Sequence, residues 1–260
     1  MTIQVLIATM NQTDFSLLDK MNIQTDAIVC NQCDRYGYQE FDYNGHNIKW
    51  FDFAERGVGL NRNNALMRAT ADICVLADDD MIFEKEYPEI IEKVFADEQT
   101  DVAVFNLIEK EKKRYVIPKK LKITKKNYGR YGAARVAFRR EAVILNGISF
   151  NLLFGGGAKF SAGEDTLFLK DCLNAKLKFY GFPYALAYMN EEDRDSSWFE
   201  GYNDKYFFDK GILYYCLDRK KCKLLCLYHC FKFRNKYREY GWKNAYKMMK
   251  KGIKSVKSPL

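Results

Sequence analysis

Histidine is almost missing from this chain: among 260 residues only His46 and His229 occur. Nucleophile–histidine catalysis and imidazole-rich metal sites therefore have little to be built from. Proline is nearly as scarce, at four residues, which excludes a proline-rich linker or recognition segment. No apolar stretch approaches the ~20 residues that a membrane-spanning helix needs. Eight cysteines are present, yet their spacing makes no disulfide framework in a chain this long. Cys30 and Cys33 form a C-x-x-C without a second pair, so packing is favoured over redox or metal chemistry. The opening residues, MTIQVLIATMNQ, carry no basic stretch ahead of their short apolar run, unlike a secretory signal. A reduced, cytoplasmic setting is expected.

Charge, by contrast, is abundant and uneven. The net charge is +8, but residues 109–140 hold 13 Lys/Arg against 2 Asp/Glu and residues 205–260 hold 16 against 3, so the remainder carries −16. An acidic body with two basic segments implies anionic partners at two places: phosphorylated ligands, a membrane surface or nucleic acid. Hydrophobic residues make up 48% of the chain, enough for one large α/β domain with an appendage. Composition turns aromatic and basic near residue 205, which divides the chain into 1–204 and 205–260. In the tail, Cys222, Cys226 and Cys230 recur at i, i+4 and i+8 and read as a helical packing stripe. Such a basic, aromatic, helical tail fits an anionic membrane surface. A helical subdomain with solvated charges is the plainer alternative. An adaptor stacking bases on its Tyr and Phe would leave the acidic motifs without a role, so nucleic acid is not the expected partner.

Periodicity places apolar strands at 3–9, 27–30, 73–77 and 102–107, with a further one around 47–53. Between them lie helical patterns from about residue 60 and from 84 to 96. In the second of these, Tyr87, Ile90, Ile91, Val94 and Phe95 share one face, and Pro88 suits the first turn. Residues 109–130 show only a weak alternation, as in a hairpin or loop. Residues 135–150 read as a short strand and then a helix. The alternation of strand and helix argues for an open α/β sheet, with ligands beyond the carboxyl ends of its strands.

Three segments carry possible chemistry. ICVLADDDMIF, at 73–83, ends a buried strand in Asp78, Asp79 and Asp80. Like charges so close need compensation; alternate residues of an extended chain share a side, so Asp78 and Asp80 are the natural pair for Mn²⁺ or Mg²⁺. Capping of the following helix is the competing reading. GVGLNRNNAL, at 57–66, brings glycines, Arg62 and Asn63 to a helix start, suited to an anion or to an ordinary turn. GGGAKFSAGEDTLF, at 155–168, ends a glycine-rich loop in Glu164 and Asp165, placed for general-base work or for simple capping.

In this order the segments resemble those of family 2 glycosyltransferases, with VLIATMNQ similar to the family's first strand. The resemblance spans roughly residues 1–200. It implies an α/β, GT-A (Rossmann-like), mostly parallel sheet flanked by helices, here followed by a basic α-helical C-terminal extension. It also implies sugar transfer from a nucleotide-diphosphate donor, uridine being the usual base, to a saccharide or lipid-linked acceptor, with inversion. Asp165 would be the base and Glu164 would shape the acceptor site. Asp78 and Asp80 would hold Mn²⁺ or Mg²⁺, Asp78 also facing the donor. Thr9, Asn31 and Arg62 would hold the nucleoside, with Arg62 and Asn63 on the family's Arg-Asn pair. One departure is plain: the turn after the second strand reads Asn31-Gln32-Cys33-Asp34 where many members have Asp-Asp. A nucleotidyltransferase is the rival enzyme, but its glycine-rich phosphate loop does not follow the first strand.

Overall fold

A computed structural model describes residues 1–96, 99–110, 114–190, 199 and 201–256. The elements run β1 (Ile3–Met10), α1 (Leu17–Lys20), β2 (Asp26–Gln32), β3 (Gly37–Tyr43), β4 (His46–Phe53), α2 (Val58–Arg68), β5 (Ile73–Asp78), β6 (Met81–Phe83), α3 (Tyr87–Phe95), β7 (Val102–Ile108), β8 (Leu121–Lys122), β9 (Val136–Arg139), α4 (Arg140–Leu145), α5 (Glu164–Asn174), β10 (Phe179–Met189), α6 (Asp204–Leu217), α7 (Cys222–Lys232) and α8 (Trp242–Ser255).

The ten strands of the described residues join one sheet in the order β3-β4-β2-β1-β5-β9-β7-β10-β6, with β8 on β10. The expected α/β sheet is present, and it is mixed. Its β4-β2-β1-β5 run is parallel, while β9 lies antiparallel between β5 and β7 and β3 folds back on β4. The β3–β4 hairpin turns at Asn44-Gly45, both at positive φ (53° and 83°), the geometry of a type I′ turn.

Side chains alternate across the sheet as the strand period requires. In β1, Val5 and Ile7 meet Leu17 and Leu18 of α1 and Ile91 of α3 on one face, while Leu6 meets Ala65 and Leu66 of α2 on the other. Phe168, Leu169 and Cys172 of α5 complete that second face. The described residues of the basic stretch between β7 and β9 are largely irregular, with β8 and two short 3₁₀ turns.

The C-terminal extension is helical, as expected, and α6, α7 and α8 pack together around Phe207, Cys222, Cys226, Cys230 and Met249. The three cysteines do form an inward packing stripe. α6 and α8 cross closely at glycines: a Cβ on Gly211 would lie 2.1 Å from the Met249 carbonyl oxygen, and one on Gly252 would lie 2.1 Å from that of Phe208. The layer does not stand apart from the sheet domain. Ile212 and Leu213 of α6 pack with Phe154, Phe160 and Leu167 of the glycine-rich loop and α5.

Candidate active site

Parallel pairing brings the carboxyl ends of β1, β2, β4 and β5 to one edge. The register sets Thr9 beside Asn31, Ala8 beside Asp78, and Asn31 beside Asp52. A cavity of about 870 Å³ opens there. Its walls include Thr9 and Asp78–Asp80 from the strand ends, Arg62 from α2, Glu164 and Asp165 from α5, and Lys210 and Leu213 from α6. The basic stretch reaches it too, through Arg114, which pairs with Glu109, and through Tyr131.

Arg62 is the centre of this arrangement. Two flanking asparagines fix its helix: Asn61 donates to the Cys30 carbonyl at 2.7 Å, and Asn63 both donates to the Phe150 carbonyl and accepts from its N–H. The Arg62 guanidinium, 5% exposed, donates through Nη2 to Asp78 (2.7 Å) and through Nη1 to Asp165 (2.7 Å) and Glu164 (3.2 Å). It also lies 5.4 Å from the centre of the Phe150 ring. Burial disfavours the cation, yet Asp78, Asp165 and Glu164 together hold its pKa above the ordinary arginine value. One cation thus ties three separate motifs together.

Gly163 starts α5 at φ 138°, with Leu213 packed where a Cβ would be. Glu164 follows it into the interior, accepting from Arg62 and from the Gly163 N–H. Burial, reinforced by the neighbouring Asp165 charge and opposed by Arg62, pushes its carboxyl up to about 7. Asp165 is more open, its side chain 27% exposed. It accepts from Arg62 on one oxygen and from the Ala133 N–H (3.0 Å) on the other. Two donors fix the orientation of a carboxylate that still faces the cavity.

At the acidic end of β5 the extended backbone stops before Asp80, so strand alternation does not set the Asp78–Asp80 pair. β5 ends at Asp78, and Asp79 and Asp80 form the turn before β6. Asp79 accepts a 2.6 Å hydrogen bond from the Thr9 hydroxyl. Burial first, then the Asp78 charge, raise the Asp79 pKa against that bond. None of the three caps α3, whose N-cap is Glu86. Asp78, 37% exposed, and Asp80 both line the cavity. No three His, Cys, Asp or Glu side chains converge on a cation position among the described residues. Mg²⁺ and Mn²⁺ are commonly held by one or two carboxylates completed by substrate phosphates and water. The pair therefore fits an ion that arrives with a diphosphate.

Asn31, expected at the nucleoside, and Asn63, of the Arg-Asn pair, are committed elsewhere. Asn31 is fully buried and spends its amide on the Gln12 backbone and on Asp52. Asn63 spends its amide on Phe150. Neither lines the cavity; both brace it. Thr9 does line it while holding Asp79. Sequence reasoning missed two residues. Asp52, at the end of β4, is buried, yet hydrogen bonds from Asn31, Arg35 and Trp50 outweigh that burial and hold its carboxyl below the usual range. Its i+2 spacing from Trp50 in an alternating strand was the available signal. Lys210 enters the cavity from the tail, where its burial lowers the ammonium pKa while Glu164 opposes the shift; nothing local marked it.

Comparison with known proteins adds independent findings. The family model described as Glycosyl transferase family 2 matches residues 17–154, more than half of the chain. No curated protein matches. Residues 1–349 of S. aureus TarS, in complex with UDP-GlcNAc, align with a TM-score of 0.63 at 15% identity, over 95% of this chain and 75% of that one. The same piece in complex with UDP gives 0.62 at 16%, over 92% and 74%. A longer S. aureus TarS chain gives 0.58 at 17%, over 94% of this chain and 45% of that one. At such identities the likeness shows the fold.

Proposed function

This chain belongs to glycosyltransferase family 2, and from that premise we propose how its cleft moves a sugar. The donor is a nucleoside-diphosphate sugar, with uridine as the base; the S. aureus TarS complexes with UDP-GlcNAc and UDP support that choice. The acceptor is a hydroxyl of a saccharide or lipid-linked saccharide. A lipid-linked acceptor puts the enzyme at an anionic membrane surface; no helix of the described residues is long and apolar enough to cross one.

Asp165 takes the proton of the acceptor hydroxyl as its oxygen attacks the anomeric carbon. The anomeric C–O bond to the diphosphate breaks on the opposite side, the nucleoside diphosphate leaves with the electron pair, and the centre inverts. Arg62 and the Ala133 N–H hold Asp165 in position, so little reorientation is needed at the moment of transfer. Glu164 fixes Gly163 and Arg62. Asp78 and Asp80 would hold Mn²⁺ or Mg²⁺, and that ion, when bound, offsets negative charge on the leaving diphosphate. Lys210 offers a second positive charge from the α6 wall.

The observation that carries this reading is the meeting of Asp78, Glu164 and Asp165 on one guanidinium at the mouth of the strand ends. The test is a hydrolysis screen of nucleotide-sugars with Mn²⁺ or Mg²⁺, scored by release of nucleoside diphosphate. Asp165→Asn is expected to bind donor nearly as well as the unaltered protein and to lower turnover by about 10² or more. Normal turnover in that variant would move the base elsewhere. Release of pyrophosphate from a nucleoside triphosphate would make the protein a nucleotidyltransferase instead.

A further inference from the structure

The two faces of α7 are both apolar. Cys222, Cys226, His229 and Cys230 turn inward. Leu224, Leu227, Tyr228 and Phe231, at i, i+3, i+4 and i+7, turn outward and are 66%, 40%, 60% and 59% exposed. Their spacing puts all four on one stripe. A surface helix normally places polar residues there; a contiguous apolar stripe in that position marks an interaction surface.

The surroundings of the stripe select its occupant. From Arg219 to Arg238 the sequence holds eight Lys/Arg and no Asp/Glu. Lys220, Lys221, Lys223, Lys232 and Arg234 are all exposed. The Arg234 guanidinium lies 4.7 Å from the Phe231 ring centre, and the Lys232 ammonium 5.7 Å from that of Tyr228. Long basic side chains over exposed rings can reach past them to headgroup phosphates while the rings enter the interface. A second copy of the same face would oppose cation with cation. An anionic bilayer offers apolar depth and negative charge together.

We propose that the outer face of α7 is a membrane-docking surface, with Leu224, Leu227, Tyr228 and Phe231 entering the headgroup boundary of an anionic bilayer and the flanking Lys and Arg binding its phosphates. It deepens the membrane-surface part of the proposed function and rests on that part alone; donor hydrolysis in solution, without vesicles, reads the catalytic part separately.

The experiment is vesicle flotation of the full chain. One set of vesicles is phosphatidylcholine alone and the other includes phosphatidylglycerol. The protein is expected to float with the second set at least tenfold more than with the first, and less as salt is raised. Leu224→Ser with Phe231→Ser is expected to reduce that recovery by about tenfold or more. Lys220→Glu with Lys223→Glu is expected to reduce it by a similar factor. All four positions are exposed, so both double variants should keep unaltered donor hydrolysis in solution, which confirms that they fold. Equal flotation with both vesicle sets, or none with either, overturns the proposal. So does undiminished flotation of the serine variant. A concentration-dependent dimer that the serine variant breaks, without vesicle binding, assigns the stripe to a second copy and overturns it as well.

Discussion

The cleft at the strand ends and the helical layer of α6 to α8 both bury polar groups, but of different kinds. The cleft buries charge. Arg62, 5% exposed, faces Asp78, Glu164 and Asp165 together. The interior between α6, α7 and α8 buries neutral groups: His229 sits between the Tyr214 hydroxyl at Nδ1 (2.8 Å) and the Tyr237 hydroxyl at Nε2 (2.6 Å), beside the thiols of Cys226 and Cys230. Buried charge is costly even when paired, and apolar substitutes often serve stability as well or better. The helical layer's own buried carboxylate, Asp209 of α6, is turned to Lys205 and to Ser161 of the glycine-rich loop, so a working surface rich in buried charge adjoins a packing surface that is neutral around His229.

The largest break in this contrast is Arg62→Met. It leaves three carboxylates around one missing cation, and unfolding free energy is expected to fall by about 3–5 kcal/mol, read by urea denaturation. Removing one partner of the hydrogen-bonded group in the helical layer should cost less. His229→Phe leaves two tyrosine hydroxyls without their shared partner, for a loss of about 1–3 kcal/mol. Equal losses in the two variants would mean that the cleft charges are solvated one by one and that the contrast is only apparent.

The two regions also respond to pH in opposite senses. Burial, with Lys210 and Lys232 nearby, lowers the His229 pKa from 6.5 to about 3. The unfolded chain takes up this proton first, so the stability that neutral His229 contributes is full above 6.5 and is lost as pH falls through about 3. Glu164 is raised from 4.5 to about 7. Its contribution is full below 4.5 and is lost as pH rises through about 7. Between 4.5 and 6.5 the two slopes oppose one another. His229→Phe is expected to flatten the acid limb of a stability–pH curve and Glu164→Gln the neutral limb. If both substitutions changed the same limb, one of the two environments would be misassigned.

Much of the sheet domain was legible because its strands are buried on both faces and read as apolar runs; β1, β5 and β7 are of this kind. The short β6 and β8 were not, nor were β3 and β10. β3 is mostly exposed, so no alternation announces it, and only Asn44-Gly45 signalled its hairpin. β10 carries Pro183, and its pairing with β7 shifts register between Gly181 and Ala185; proline inside a run argues against a strand, and here it sits at the irregularity. In the site, the residue types were readable but their commitments were not. Asn31 and Asn63 look like ligands in one dimension, while in three their amides are already satisfied by Gln12, Asp52 and Phe150. The convergence on Arg62 joins positions about a hundred residues apart, which no local pattern encodes.

α6 belongs to both regions, and its substitution sharpens the comparison most finely. One side carries Phe207 and Gly211 into the helical layer, and another carries Lys210 and Leu213 to the cleft. The Lys210 ammonium lies 5.5 Å from the Tyr206 ring centre, within the field of Glu164. Its aliphatic stem packs while its charge faces the cavity, so Lys210→Met keeps the packing and removes the charge. A donor diphosphate in this cleft gains one charge-assisted contact from Lys210. Donor affinity is therefore expected to weaken by about tenfold, with the urea midpoint nearly unchanged, when nucleotide binding and unfolding are measured on the same preparation. A large loss of stability with unaltered nucleotide affinity would place Lys210 in the packing layer and leave the cleft with Arg62 as its central cation.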